Sequence, residues 1–514
     1  MARSILRKFP IGVQSFKKIR DNQFLYVDKT ALVYELANSG GSYFLSRPRR
    51  FGKSLLISTF EAYFKGQKEL FEGLAIEQLE KDWIAYPVLH IDLNAEKFDA
   101  PEQLDALLSN QLTQWEEIYG KGKDETTLSL RFKGVIRRAA EQTGHPAVVL
   151  VDEYDKPLLQ SLHKEALHSA YKDTLKAFYG VLKSADQYLR FYLLTGVTKF
   201  SQVSVFSDLN QLNDISMDKR YNEICGLTWQ EIADNFEPEL KELAEDNDLT
   251  PEETRETMTR LYDGYHFMFG QEGIFNPFSV LNVLDRSQFD NYWFKTGTPT
   301  FLVELLKKTD YDLRDIDGVQ MAVDGFADYR ADVQRPIPVI YQSGYLTIKD
   351  YDKEFRLYTL GFPNEEVKYG FLSFIAPFYT AIPSTESPFY ISRFVIELES
   401  GDVDAFMERL RAFFADIPYE LNDKTERHYQ AVFYLVFKLM GQFTEAEVRS
   451  ARGRADAVVK TRDYIYVFEF KLDGTVEEAL RQIDDKGYLI PYQSDGRQLI
   501  KVGANFSAEE RNIE

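Results

Sequence analysis

Over residues 1–220, short continuous apolar runs alternate with longer segments whose apolar residues recur at helical spacing. Runs that are apolar on both faces mark central parallel strands, and the spaced segments mark the helices between them. The pattern predicts strands at Tyr43–Ser46, at Tyr86–Leu93, in the apolar run that opens Ala147–Pro157, and at Leu189–Lys199. Helices are predicted at Ser54–Phe64, Pro101–Tyr119 and around Tyr171–Ala185. Strand and helix in alternation predict an α/β fold built on a parallel sheet flanked by helices. From about Tyr221 to Leu372 the pattern turns more helical and aromatic, as in YDGYHFMF, NYWFKTGTPTFLVELL and IYQSGYLTIKDY. Those rings read as core. At the C-terminal end, an apolar helix at Thr425–Gly441 precedes a hairpin in Gly453–Leu472 and a helix at Thr475–Leu489.

Composition narrows the function classes. A chain of 514 residues holds two to four domains, and 44% hydrophobic content with 31 Tyr and 39 Phe gives each a packed core. A single cysteine, Cys225, excludes an internal disulfide framework and suits a reducing cytoplasm. The basic N-terminus lacks the apolar core of a signal peptide, and the apolar stretch near Ala431–Phe437 is too short to span a bilayer. No Cys/His cluster points to zinc. A net charge of −20 argues against broad adhesion to nucleic acid, while leaving room for a local basic groove.

The segment FLSRPRRFGKSLLISTF, Phe44–Phe60, reads as a strand running into a phosphate loop and a helix. Such a loop converges backbone N–H groups on phosphate oxygens, at the positive end of the helix dipole. Gly52 leaves room for the phosphates, Lys53 supplies a cation for the β/γ oxygens, and the Ser54 hydroxyl can ligate Mg²⁺. One position departs from G-x-x-x-x-G-K-S: Arg47 stands where the first glycine is expected. A non-glycine residue forced to positive φ costs roughly 1–2 kcal/mol, so the start of the loop must be shaped differently. The run AVVLVDEYDKP then ends in adjacent acids at the carboxyl end of its strand, where parallel α/β sheets collect ligands. Asp152 is placed to hold the Mg²⁺ shell and Glu153 to polarise the attacking water. Thr195, ending the next strand, can sense the γ-phosphate or that water.

A second chemistry sits in GRADAVVKTRDYIYVFEFKL. With Arg462-Asp463 as the hairpin tip, Asp456 lies opposite Glu469, with Cβ atoms about 5 Å apart. Glu469 and Lys471 share a face, and Phe468 and Phe470 pack on the other. Two carboxylates at that spacing can share one divalent ion, with Lys471 beside them. Arg-Asp suits a tight primed turn badly, and a slip of one residue would send Glu469 to the wrong face. Glu426, in the first turn of the upstream helix, is a candidate extra ligand, and Gln482 on the downstream helix faces the same sheet edge.

The chain resembles a mainly bacterial family that joins an AAA-ATPase-like N-terminal domain to a C-terminal PD-(D/E)XK nuclease-superfamily domain. The resemblance runs nearly full length through YVDKT, RPRRFGKS, VDEYDKP, LTGVTKFS, YDGYHF, YWFKTGTPTFL, YQSGYLTIKDYD, GRADAVV, FEFKL and EEALRQIDDKGY. RPRRFGKS is that family's own loop, so Arg47 is a family trait. The resemblance implies a P-loop NTPase domain over residues 1–220, a helical, winged-helix-like middle over 221–374, and a nuclease-like α/β domain over 375–514. It assigns the nucleotide to Arg49, Arg50, Phe51, Gly52, Lys53, Ser54 and Leu55, with Thr195 as sensor. Mg²⁺ falls to Ser54 and Asp152, and turnover to Glu153. Asp456, Glu469 and Lys471 become the nuclease triad, taking Mg²⁺ or Mn²⁺. Related nucleases carry a Gln and a Tyr four residues apart on the following helix; here Gln482 precedes Lys486 and only then Tyr488. The expectation is a cytoplasmic, ATP-dependent, DNA-processing enzyme that forms a homo-oligomer and has no membrane partner. The alternative is a nucleotide-controlled switch whose nuclease-like domain is non-catalytic.

Overall fold

The computed structural model describes residues 7–162, 164–198, 212–296, 302–303, 305–306, 309, 311–326, 336–380, 386–416, 426–441, 443–448, 455–507 and 512–513. Contacts divide the chain into two compact units, Met1–Thr296 with Gln320–Asn364, and Gly297–Val319 with Glu365–Glu514. The stretch 221–374, read from sequence as a region of its own, contributes to both.

The first unit is built on five parallel strands: β1 (Gly41–Ser46), β2 (Val88–Asp92), β3 (Ala147–Asp152), β4 (Leu189–Gly196) and β5 (Asn213–Asp214). Their spatial order is β2-β3-β4-β1-β5. All six residues of β3 are buried, as its unbroken apolar run requires. Because β4 is inserted between β1 and β3, chain leaving their carboxyl ends diverges, and a crevice opens at that edge. Helix α1 (Lys53–Phe64) follows β1, α2 (Pro101–Tyr119) and α3 (Leu128–Thr143) fill the β2–β3 crossover, and α4 (Glu165–Tyr179) lies between β3 and β4. The expected helix at Tyr171–Ala185 therefore starts six residues early and stops at Gly180, where the chain re-forms a short turn of helix at Val181–Ser184. Helices α5 (Pro251–Tyr262) and α6 (Pro277–Arg286) pack through Met258, Tyr262, Val280 and Val283 into a second core. Strands β6 (Thr347–Asp352) and β7 (Leu357–Gly361) form an antiparallel hairpin in the same unit.

The second unit centres on β8 (Glu445–Val448), β9 (Ala457–Lys460), β10 (Tyr464–Leu472), β11 (Gln498–Ser507) and β12 (Asn512–Ile513). They are ordered β12-β11-β10-β9-β8, and only the β10–β11 pair is parallel. That parallel step needs a crossover, supplied by α9 (Val476–Asp485). On the opposite face of the sheet lie α7 (Val403–Ala415) and α8 (Glu426–Met440), whose Phe406 and Phe437 meet Phe468 at centroid distances of 5.6 and 4.9 Å. Among the described residues, no helix is long and apolar enough to cross a membrane. The architecture is mixed α/β throughout, as the sequence pattern implied.

Candidate nucleotide site and candidate nuclease site

At the carboxyl end of β1 the chain turns through residues 47–52 into α1. Gly52 begins the helix at φ +94°, where a Cβ would be strained, and no side chain caps this end. The first-turn N–H groups and the positive end of the dipole thus face the loop. Arg47 replaces the signature glycine without a left-handed backbone: the positive φ angles of the loop fall on Arg50 (+67°) and Gly52. The Arg47 side chain turns inward and is 1% exposed. Its Nη1 donates to Ser46 O (2.9 Å) and Ser216 O (2.8 Å), and Nη2 donates to Tyr221 O (3.1 Å). The guanidinium lies 3.9 Å from the Phe267 ring centre, and burial pushes its pKa down to about 10. Arg47 is thereby a strut that ties the start of the loop to chain beyond β5.

The aromatic strings that read as plain core brace this loop. Arg49 Nη2 donates to Tyr345 Oη (2.9 Å), and Trp293 Nε1 donates to Arg49 O (3.0 Å). Phe51 is buried edge-on to Tyr265 and Phe267, with centroids 4.8 and 5.5 Å away, so its backbone faces the loop and its ring the core. A Cβ on Gly344 would lie 2.5 Å from Pro48 Cβ, so glycine permits this close approach. Arg50 is exposed, its guanidinium 5.1 Å from the Phe278 ring centre. These contacts join residues more than 200 positions apart, which no local pattern encodes.

Lys53 is buried, and its Nζ donates to Arg47 O (3.1 Å) and Pro48 O (3.2 Å) while lying 3.8 Å from Glu153 Oε1. Ser54 and Leu55, in the first turn of α1, are half-buried. Asp152 is buried at the end of β3 and accepts from Thr195 Oγ1 (2.7 Å) and from the Glu153 N–H (3.1 Å). The Thr195 hydroxyl also reaches Val151 O at 3.3 Å, so its observed work is to orient Asp152. Glu153 takes φ +54°, a conformation that costs a branched or charged residue roughly 1–2 kcal/mol. Its carboxylate lies 3.8 Å from Lys53 Nζ, and backbone strain of this kind clusters at active sites and ligand clamps. The structure thus brings Lys53, Ser54, Asp152, Glu153 and Thr195 to one edge of the sheet.

Asp155 was missed from sequence. Fully buried, it accepts from Val197 N (3.0 Å), Thr198 N (2.6 Å) and Thr198 Oγ1 (2.6 Å). Burial, with the nearby Glu153 charge, raises its carboxyl to about 7. The YVDKT string also gains a place. A cavity of about 110 Å³ beside the loop is lined mostly by apolar groups, among them Tyr26, Val27, Gly52, Leu55, Leu227 and Leu281.

In the second unit the hairpin register is the one the sequence arithmetic requires. Lys460 pairs with Ile465 and Ala457 with Phe468, and one further step sets Asp456 against Glu469. Thr461 N donates to Tyr464 O (2.9 Å) around Arg462-Asp463, neither of which has positive φ, so the turn avoids the primed geometry. Phe468 and Phe470 stack on α8, with Phe470 3.8 Å from Phe433. Glu469 and Lys471 face α9 instead. Lys471 Nζ donates to Glu469 Oε1 (3.1 Å) and Gln482 Oε1 (2.6 Å), and Gln482 Nε2 also contacts Glu469 Oε1. Tyr488 Oη lies 3.4 Å from Gln482 Nε2, so the Gln and Tyr meet despite their unexpected spacing. Asp456 Oδ2 accepts from the Phe470 N–H at 2.9 Å.

Burial raises the pKa of Asp456; burial and the Asp456 charge raise that of Glu469. Glu469 Oε2 is buried with no hydrogen-bond partner. A buried carboxylate oxygen left without a donor is costly, and a shared cation is the chemistry that would satisfy it. The two carboxylates therefore fit a divalent ion that takes its other ligands from water and phosphate, as Mg²⁺ commonly does. Among the described residues no group of three acidic, His or Cys side chains gathers for a metal. The Glu426 side chain lies outside the described residues.

Comparison with known proteins identifies two domains. The family described as predicted AAA-ATPase matches residues 10–206, and the PD-(D/E)XK nuclease superfamily matches residues 424–514. The chain is 35% identical over 520 residues to "Uncharacterized protein in vnfD 5'region" of Azotobacter chroococcum mcd 1, covering 99% of this chain and 98% of that one. The Aeropyrum Pernix ORC2 protein, solved as ADPNP-ADP complexes, aligns over 65% of this chain and 88% of its own, at 11% identity and a TM-score of 0.24. With a relative 35% identical over nearly its whole length and the two domain matches in this order, the chain belongs to the family that carries an AAA-ATPase-like domain and a C-terminal PD-(D/E)XK nuclease-superfamily domain.

Proposed function

We propose that this protein binds and hydrolyses ATP in its first unit and uses that turnover to gate a Mg²⁺-dependent DNA phosphodiesterase in its second. The observation that carries the nuclease half is the partnerless Glu469 Oε2 beside Asp456 and Lys471. Bound there, Mg²⁺ or Mn²⁺ supplies Lewis-acid polarisation of water and phosphate. Asp456 and Glu469 hold the ion. Lys471, fixed by Glu469 and Gln482, orients water against the phosphorus. Water adds as the P–O bond to the leaving nucleoside oxygen breaks, one water proton leaves to solvent, and the leaving oxygen takes up a proton.

In the first unit, the N–H groups from Arg49 to Leu55 cradle the phosphates, with Lys53 as their cation. Ser54 and Asp152 hold Mg²⁺, Thr195 keeps Asp152 oriented, and Glu153 activates water. The cavity lined by Tyr26, Val27 and Leu281 takes the base. Arg50, exposed at the loop, is the arginine placed to act on a neighbouring copy of the chain.

A second reading, a nucleotide-controlled switch with a silent second site, draws on the net charge of −20. Incubating the full chain with supercoiled and linear DNA, in Mg²⁺ or Mn²⁺, with and without ATP, separates the two. Metal-dependent nicking that ATP modulates supports the nuclease. ATP turnover without cleavage under any condition leaves the switch.

A further inference from the structure

A cavity of about 260 Å³ opens over the paired carboxylates of the second unit. Asp456, Glu469 and Lys471 line one wall, Tyr429 and Gln430 of α8 another, and Arg314 completes it. Arg314 comes from far upstream. It lies on a single turn, Leu313–Asp315, within the segment Gly297–Val319 that joins the second unit although the chain on both sides belongs to the first. It also lies outside residues 424–514, the stretch that matches the nuclease superfamily.

The position of Arg314 is built. Asp312 begins the turn by accepting the Arg314 N–H (3.0 Å), and the same carboxylate grips the side chain. Arg314 Nε donates to Asp312 Oδ1 (2.9 Å) and Nη2 to Oδ2 (2.6 Å), a two-point fork that fixes the guanidinium plane. The Arg314 side chain stays 28% exposed, so it keeps a solvent-facing part at the cavity wall. Its charge is close enough to help hold down the Asp456 carboxyl, which burial raises.

A phosphodiester entering this cavity meets two carboxylates on a chain of net charge −20. A metal ion and Lys471 answer the scissile phosphate. The neighbouring phosphates of the strand need a cation of their own, and a guanidinium of fixed orientation suits them. Resting on the nuclease reading above, we propose that Arg314 is a phosphate anchor of the second site, which binds the nucleic-acid backbone beside the scissile position and sets the strand's register.

The test uses the full-length protein and a fluorescein-labelled 20-base-pair duplex, with anisotropy read in Ca²⁺ between 50 and 200 mM salt. Loss of one phosphate contact should lower the slope of log K against log salt by about 0.9. Arg314→Ala should show that loss, with affinity down about tenfold at low salt. Arg314→Lys should restore the slope, because the charge returns. Asp312→Asn, which keeps the Arg314 cation but removes its carboxylate partner and loosens the fork, should keep the slope and raise KM for cleavage more than it changes kcat. Should Arg314→Ala fold poorly, the Lys and Asn variants still carry the test. If wild-type protein binds the duplex and Arg314→Ala binds with the same slope and affinity, the anchor is overturned and the nuclease reading stands. If wild-type protein neither binds nor cleaves DNA, the nuclease reading fails and takes the anchor with it.

Discussion

Lys471 Nζ lies 3.1 Å from Glu469 Oε1, while the other oxygen of that carboxylate is buried with no hydrogen-bond partner. One oxygen is satisfied by a cation of the protein itself, and the second has no donor. Both carboxyls of the pair have raised pKa values. A carboxyl whose pKa is raised on folding binds protons that the unfolded chain has shed. Its stabilisation is complete below the ordinary carboxylate range and is lost as pH rises through the raised value. In EDTA, the calorimetric transition of the second unit should therefore weaken from acid to neutral pH. Mn²⁺ at a hundredfold excess over its dissociation constant should restore about 2.7 kcal/mol at neutral pH, and less in acid, where protons compete. Asp456→Ala should abolish the metal effect. The full chain is the object to melt, because residues 297–319 belong to the second unit. A melt indifferent to Mn²⁺ at every pH would remove the metal from this site.

Lys471 and the metal pair should separate cleanly in mutants. Lys471→Ala leaves both carboxylates in place, so the Mn²⁺-induced rise in melting temperature should persist. Cleavage should drop by about 10²–10⁴, the range for losing a group that acts on proton or charge movement. Gln482→Ala should lie between, since Gln482 positions Lys471 through a 2.6 Å hydrogen bond. Parallel melts and plasmid-nicking assays read both properties. A Lys471→Ala protein that still nicks at the wild-type rate would assign Lys471 to structure.

Glu153 offers a stability–function contrast. Its left-handed backbone costs about 1 kcal/mol or more, which glycine would not incur. Glu153→Gln should keep ATP affinity and the strain while lowering turnover by about 10²–10⁴. Glu153→Gly should lose turnover equally yet melt higher than Glu153→Gln. Calorimetry beside a phosphate-release assay decides it. Equal melting of the two variants would mean that the strain is relieved by something other than glycine's freedom.

Restoring the signature glycine should do harm. Arg47→Gly removes three donated hydrogen bonds and a buried ring contact from the base of the loop. Left-handed freedom at position 47 gains nothing, because Arg50 and Gly52 make the reversal. The expected cost is about 2–4 kcal/mol in urea denaturation, in the range for breaking a buried polar network. A variant as stable as wild type, with unchanged ATP affinity, would show that Arg47 is dispensable.

What could be read in advance follows the range of each interaction. The parallel strands were legible because burial on both faces demands unbroken apolar runs, and β3 has them. The Asp456–Glu469 register was legible because a hairpin reduces to counting from its tip. The Gln482–Tyr488 contact was harder. α9 ends at Asp485, and Gly487, at φ +64°, folds Tyr488 back so that its N–H reaches Ile483 O (3.1 Å). Helical counting fails across such a turn. The bracing of Arg49 by Trp293 and Tyr345 and the arrival of Arg314 were not legible, since they join segments that only the tertiary fold brings together. Lys53 reads from sequence only as a cation for the phosphates. The fold buries it on two loop carbonyls, a contact between residues five and six positions apart that the motif does not specify.

Asp155 gives the first unit a pH dependence of its own. Its carboxyl is raised to about 7, burial being the main cause and the Glu153 charge the second. An unfolded aspartate titrates near 3.9, so between about pH 4 and 7 the folded state holds a proton that the unfolded chain has lost. The stabilisation is whole below that window and gone above it, at a rate of at most about 1.4 kcal/mol per pH unit. Asp155→Asn should level this slope. Its amide oxygen still accepts from the N–H groups of Val197 and Thr198, and the Thr198 hydroxyl can turn to accept from the new NH₂. Glu153→Gln should move the wild-type fall to lower pH, because removing the neighbouring charge lets Asp155 ionise more readily. Melting of the first unit, followed from pH 4.5 to 8.5 in all three proteins, reads these shifts directly. A wild-type curve as flat as that of Asp155→Asn would mean that the three donors around Asp155 outweigh its burial and keep it ionised throughout.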